Sequence, residues 1–377
     1  TKSEIGGNFM KKMFALTSLM FCLLLFLGFQ AAPSRRIAQN PIERMIKAME
    51  AGRPVHQGNL TVIPLYLSQV ANKTEFITLD EAIDKNWIDI TEMDGGRVPE
   101  VRISNRSKHI IYLMGGEILT GCKQDRILAG DVLLGPGTTD LIAPVFCVEH
   151  GRWTQQTSSF YSKKNIGTYA LRSIAQQKSQ SAQSAIWDHI SEKNGEMAVT
   201  SATGAYQDAY EAEENKDKIQ AIEKEMISIP SLNDDTVGVL IALGSRIVSA
   251  DVFANPALFK KQWPKILRAS ALSSISSRDE GTIGRKEAVD FFNMFRGSSF
   301  RTKQGLDLGT EMEGSTETAT IHALVSNNDV LHLAAFPKEK DRIKIFQDSS
   351  EQIRRMIRNA PQIQQQALPS TKIRDNS

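Results

Sequence analysis

Six side chains bracket one glycine-punctuated stretch, residues 95–153, and their types suit recognition of a nucleotide-like small molecule. Arg126 and Arg152 offer planar guanidinium forks that grip phosphate oxygens two at a time. Glu117, Glu149 and Gln124 can bind ribose hydroxyls, and the indole of Trp153 offers a face for base stacking. For a catalytic site, Glu117 or Glu149 would be the candidate general base. The same residues also suit an internal salt-bridge network, Glu117 with Arg126 or Glu149 with Arg152, that locks strand ends together. The ligand reading requires the groups 117–126 and 149–153 to come side by side at one mouth.

The elements that must position them are short strands. Residues 98–104 and 109–114 read as a hairpin around Asn105, Arg106 and Ser107, a turn composition that can satisfy local backbone groups. Gly115 and Gly116 allow a kink that presents amide hydrogens beside Glu117. Residues 141–149 alternate with both faces mostly apolar, as in a buried strand, but Pro144 cannot donate a ladder bond and argues for an edge or a bulge there. Residues 59–67 read as a strand, followed by a short helix over 79–87 that Thr78 can cap.

Further along, 166–229 reads as an inserted helical hairpin, able either to carry a protein partner or to shield a sheet face. Residues 236–253 read as a hairpin turning at Gly244, Ser245 and Arg246. Asn255 and Pro256 open a helix that Pro264 should kink. The stretch 285–295 reads as an amphipathic helix burying Val289, Phe292 and Phe295. Residues 318–325 and 330–336 pair across 326–329, and their His322 and His332 read as packing or surface histidines. The predicted class is α+β: a mixed or antiparallel β core built of hairpins, with the helical hairpin inserted. Within it, 58–155 form a β-rich lobe, 166–229 the insertion and 236–337 an α+β lobe. Residues 33–57 read as a helix and linker, and 338–377 as a helix and a disordered tail.

Met10, Lys11 and Lys12 followed by the uncharged run 13–29 make the n- and h-regions of an export signal. Ala31 and Ala32 offer small residues for cleavage, so residues 10–32 are expected to be a signal peptide or, uncleaved, an N-terminal anchor that is the chain's one membrane contact. Cys22 faintly suggests a lipid-attachment site, but bulky Phe21 precedes it. The body is then expected outside the cytoplasm: secreted, periplasmic or membrane-anchored. Removing Lys2, Lys11, Lys12 and Glu4 with the leader leaves 42 basic against 42 acidic residues. That balance lacks the overall positive charge expected of a nucleic-acid binder.

Cys122 and Cys147 remain in the body. In an oxidising compartment they could close a disulfide worth about 3 kcal/mol, or stay buried thiols. Cys147 and His150 lack a second pair at zinc spacing, so no metal is expected. No nucleophile elbow, phosphate loop or zincin helix occurs, and no cofactor is implied.

The blocks GGEILTGCKQDRILAGDVLL and APVFCVEHGRW, with GNLTVIPL and LDEAI before them and VGVLIALGSRIVSADVF after, carry a resemblance. Over roughly 58–337 the chain resembles the family called ARG and Rhodanese-Phosphatase-superfamily-associated protein, a domain of unknown function. Genomic company with ADP-ribosylglycohydrolases and phosphatases, reflected in that name, implies by association a role near ADP-ribose or NAD-derived nucleotides. The resemblance brings no catalytic residues. Two functions are therefore expected as alternatives: an exported domain binding a nucleotide-like or ADP-ribose-related ligand, or a non-catalytic cell-envelope scaffold presenting 166–229 to a protein partner.

Overall fold

The computed structural model describes residues 40–68, 72–93 and 99–338. The expected signal or anchor 10–32, with Cys22, and the expected helix and tail beyond 338 lie outside the described residues. The described residues from Pro41 to Lys338 form one compact unit. Its described residues hold 8 helices and 17 strands, and the strands pair mostly antiparallel: the fold is α+β.

The largest sheet has the order Met49–Ala51, Leu60–Leu67, Thr236–Leu243, Arg246–Phe253, Asp329–Pro337, Ala319–Ser326, Thr310–Ser315, Phe300–Gln304, and Val55–Gln57 pairs beside Leu60–Leu67. Its centre is apolar on both faces. Val239, Ile241 and Leu243 pack under the helix Pro256–Ile275, while Leu240 and Ala242 face the helices Pro41–Ala48 and Arg285–Asn293. A strand buried on both sides must read as a continuous apolar run, and Thr236–Leu243 does. The long helix is started by Asn255, whose side chain accepts from the Leu258 amide at 2.9 Å, and it continues through Pro264.

Two smaller sheets carry the stretch from which the sequence reading began. One runs Ile88–Glu92, Glu100–Asn105, Leu141–Cys147, Arg126–Leu128, Ile118–Leu119; the other runs Val132–Leu134, Ile111–Leu113, Ile77–Thr78, with its last pair parallel. The hairpin expected around Asn105 therefore does not exist, because its two strands belong to different sheets. Asn105 instead bonds the His109 and Gly135 carbonyls at 2.8 and 2.7 Å, tying the sheets together. Pro144 lies where the strand changes partner: Leu141–Pro144 pair with Glu100–Ile103 and Val145–Cys147 with Arg126–Leu128. A residue without an N–H costs least at such a handover.

Three further expectations are revised. The linker 33–57 contributes, from Pro41 on, a helix and two strands of the large sheet. The segment 166–229 is four helices rather than a two-helix hairpin, and their Leu171, Ile186, Ile190, Ile222 and Met226 enter the core shared with Trp263 and Phe259. Val289, expected in the core, is exposed, and Phe291 is buried in its place. Thr78 caps Leu79–Asp84 through a reciprocal pair with Glu81, as its position predicts.

Candidate functional site

Four of the six predicted residues meet, but as a packed internal network. Arg152 Nε donates to Glu149 Oε2 at 2.8 Å; its Nη1 reaches the Cys122 and Thr154 carbonyls, and its Nη2 the Gly121 carbonyl and Asp125 Oδ1, at 2.7–3.3 Å. A guanidinium has five N–H groups, and all five are engaged, so none is left for a phosphate. Arg126, with no exposed surface, donates to Gln124 Oε1, Cys147 Sγ and Glu92 Oε1 at 3.1, 2.9 and 3.3 Å. Glu149 accepts from the Asp125 amide and the Thr203 hydroxyl as well as from Arg152. Burial alone would raise its carboxyl, but the bonds from Arg152 and Thr203 hold it below the usual range.

Glu117 is not part of this network. One carboxylate oxygen accepts from the Met114 amide at 2.9 Å, and the other pairs with Lys265, which also meets Asp80 at 2.9 Å. Burial pushes Glu117 up to about 7, against the pull of Lys265. Among the described residues the Glu117 carboxylate is held by the Met114 amide and Lys265, neither of which bonds the side chains of Arg126, Glu149 or Arg152. Trp153 stands 51% exposed, with Lys123 over its ring, and packs into no cluster. Cys122 and Cys147 are free buried thiols, so the bridge raised as one alternative is not made. Burial pushes both up to about 11, which keeps them neutral.

A cleft of about 220 Å³ opens elsewhere, between the loop 129–131, the end of the helix Tyr169–Gln176, and the outer strands of the large sheet. Register sets its charges. Arg301 stands opposite Glu313 and Lys303 opposite Glu311 across two antiparallel strands, and Lys303 Nζ lies 2.7 Å from Glu311. Lys178 reaches the same Glu311 oxygen from the other wall at 3.2 Å. Two polar atoms in the wall have no protein partner: Oε1 of Gln176, a residue only 7% exposed, and Nε2 of His322. Burial holds His322 below its ordinary range, so its ring is neutral near pH 7.

Two glycines make this approach possible. A side chain at Gly115 would stand 2.9 Å from Gly130 Cα and 3.0 Å from Gln176 Nε2; one at Gly130 would meet Lys178 Nζ at 3.2 Å. The Gly115–Gly116 pair thus makes room for side chains from the helix above, rather than presenting amides to a ligand. Gly116, at φ +98°, has Arg172 packed where its Cβ would be.

Beneath the cleft runs a buried chain of charge. Asp131, in the cleft wall, accepts from Tyr112, the Gly115 amide and His332 Nδ1 at 3.2, 2.7 and 2.7 Å. His332 Nε2 meets Asp251 at 3.1 Å, and Arg172 grips Asp251 with both terminal nitrogens. Burial alone would lower His332, but the two flanking aspartates raise it to about 9, so it is an imidazolium at neutral pH. This chain fixes the loop 129–131 against the sheet.

The family model for the ARG and Rhodanese-Phosphatase-superfamily-associated Protein domain matches residues 48–336. The chain belongs to that family. No curated protein and no solved structure matches it significantly. The family's span contains every residue of the cleft wall and both buried networks, so the cleft is part of the domain itself.

Sequence reasoning missed Gln176, Lys178, Arg301, Lys303, Glu311 and Glu313. One signal was available for the last four: bases at 301 and 303 and acids at 311 and 313, two apart in each case, as the paired faces of a hairpin require. Nothing in the sequence singles out Gln176 among its glutamine-rich neighbours.

Proposed function

We propose that this domain binds a ribose-bearing, phosphorylated small molecule, nucleotide-like or related to ADP-ribose, and that the site is the cleft rather than the arginine cluster at 122–152. The supporting observation is the pairing of Gln176 Oε1 and His322 Nε2, two polar atoms without protein partners, in one cleft wall. Buried polar groups are nearly always hydrogen-bonded, and sugar hydroxyls can both donate to the amide oxygen and serve the imidazole. Glu313 accepts from further hydroxyls, and Arg301 and Lys303 supply charge for a phosphate. Drug-sized pockets occupy about 300–1,000 Å³. At about 220 Å³ the cleft suits one phosphorylated pentose, with the rest of a larger ligand outside it.

The proposal includes export, supported by the leader 10–32 alone. N-terminal sequencing of the protein recovered from the producing cell's envelope or medium tests that part.

Calorimetric titration tests the ligand. Ribose 5-phosphate and ADP-ribose should both saturate one site, and inorganic phosphate should bind far more weakly. Gln176→Leu should weaken sugar phosphate binding about tenfold, the loss of one hydrogen bond of about 1.4 kcal/mol. No saturable heat with either sugar phosphate, or equal affinity in Gln176→Leu, would refute the proposal.

A further inference from the structure

The cleft holds more than recognition groups. Lys178 follows Gln177, the C-cap of the helix Tyr169–Gln176, and its backbone turns into the left-handed region at φ 49°. Its chain crosses over Gly130, where any side chain would meet the ammonium, and its Nζ enters the cleft wall. There it shares a single carboxylate: Glu311 Oε2 lies 3.2 Å from Lys178 and 2.7 Å from Lys303. Two ammonium groups compete for one counter-ion, and Lys303 takes the shorter contact. The Lys178 side chain is 30% exposed, against 56% for Lys303, so it is the more shielded of the two.

We propose that Lys178 is a nucleophilic amine that captures the open-chain aldehyde of a reducing ribose derivative as an imine, a reading that rests on the cleft as the ribose site. A second cation beside a partly desolvated lysine is one of the arrangements that frees an amine for carbonyl chemistry. Burial, with the neighbouring Lys303 charge, lowers Lys178 against the pull of Glu311, whereas Lys303 is raised.

The step balances without any further reactant. The free amine of Lys178 attacks the carbonyl carbon, and the C=O π pair moves to oxygen, which takes a proton to give a carbinolamine. The nitrogen lone pair then expels that hydroxyl as water, leaving a protonated C=N bond. Overall, ammonium plus aldehyde gives iminium plus water. Glu311, within 3.2 Å of the nitrogen, is placed to take the proton from the ammonium and return it to the departing hydroxyl.

Reductive trapping tests this. The full chain is incubated near pH 7 with ribose 5-phosphate and cyanoborohydride, and the modified lysines are located by peptide mass mapping. A parallel arm uses glyoxylate, a small carbonyl with no sugar. Ribitol 5-phosphate, which has no carbonyl, serves as competitor and as a binding control by calorimetry.

Lys178 should be labelled by ribose 5-phosphate more than about tenfold faster than any other lysine, the advantage of a held neighbour. Ribitol 5-phosphate should suppress that labelling. Lys178→Arg should abolish the dominant adduct while the protein stays folded and still binds ribitol 5-phosphate. Labelling spread evenly over surface lysines in both carbonyl arms would overturn the proposal. Binding of ribitol 5-phosphate without a Lys178 adduct would overturn it too and leave the ribose reading standing. A glyoxylate adduct confined to Lys178, in a protein that does not bind ribitol 5-phosphate, would support the amine and sink the ribose reading.

Discussion

Arg152 illustrates how a residue's type and its task can part company. A guanidinium suits phosphate, yet here it closes a loop: three carbonyls and two carboxylates take all five of its donors. Its loss would strand Glu149 and Asp125 in the interior, and Asp125 is already pushed up to about 6 by burial and the nearby Glu149 charge. Arg152→Ala is therefore expected to cost about 3–5 kcal/mol in urea unfolding, the penalty for breaking a buried pair. Any variant protein that remains folded should bind ribose 5-phosphate with unchanged affinity. A loss of affinity with stability intact would mean that Arg152 does touch the ligand. Sequence shows that Arg152 carries five donors; whether they point inward is decided by the turn at Gly121 and Cys122, whose carbonyls meet them, and residue types alone do not report that.

At the scale of elements, the legible parts were those with local chemistry. Asn255 and Thr78 cap the helices that their positions predict, and the hairpin Thr236–Leu243 with Arg246–Phe253 forms because its apolar run and turn residues agree. What failed was long-range pairing: the partners of Glu100–Asn105 lie at Ile88–Glu92 and Leu141–Cys147, and nothing in its own residues names them. The strands Phe300–Gln304 and Thr310–Ser315 were overlooked because their faces are polar, so the apolar alternation that marks a half-buried strand is absent. They supply Arg301, Lys303, Glu311, Met312 and Glu313 to the cleft wall.

The chain Asp131–His332–Asp251–Arg172 joins the loop 129–131 to two strands and a helix, and its protonation should be visible in stability. His332 titrates near 6.5 unfolded and about 9 folded, so its contribution is fully present below about pH 6.5 and lost as pH rises through about 9. Glu117, at 4.5 unfolded and about 7 folded, likewise loses its contribution as pH rises through 7. Asp131, Asp251 and Glu149 are held low and act oppositely, losing their contribution as pH falls below about 4. Unfolding free energy measured against pH should therefore peak near about pH 5 and decline towards pH 9. His332→Gln should remove the part of that decline between about 6.5 and 9. A maximum at pH 8 would contradict the protonated His332.

For the molecule as a whole, the account divides two kinds of charge. The cluster at 122–152 and the Glu117–Lys265–Asp80 group are closed, with Arg126 Nε the one fully buried side-chain atom there that lacks a partner among the described residues; the cleft beside Gly130 is open and keeps two polar atoms without protein partners. All of these lie within residues 48–336, the span that the family model matches. Distinguishing closed from open requires the packing of three sheets against the helices of 169–226. The most direct measurement is a crystal structure of the protein soaked with ribose 5-phosphate. Ligand density should lie within hydrogen-bond reach of Gln176 and His322, with its phosphate towards Lys303 and Arg301. Density against Arg126 or Arg152, with the cleft unchanged, would contradict the account.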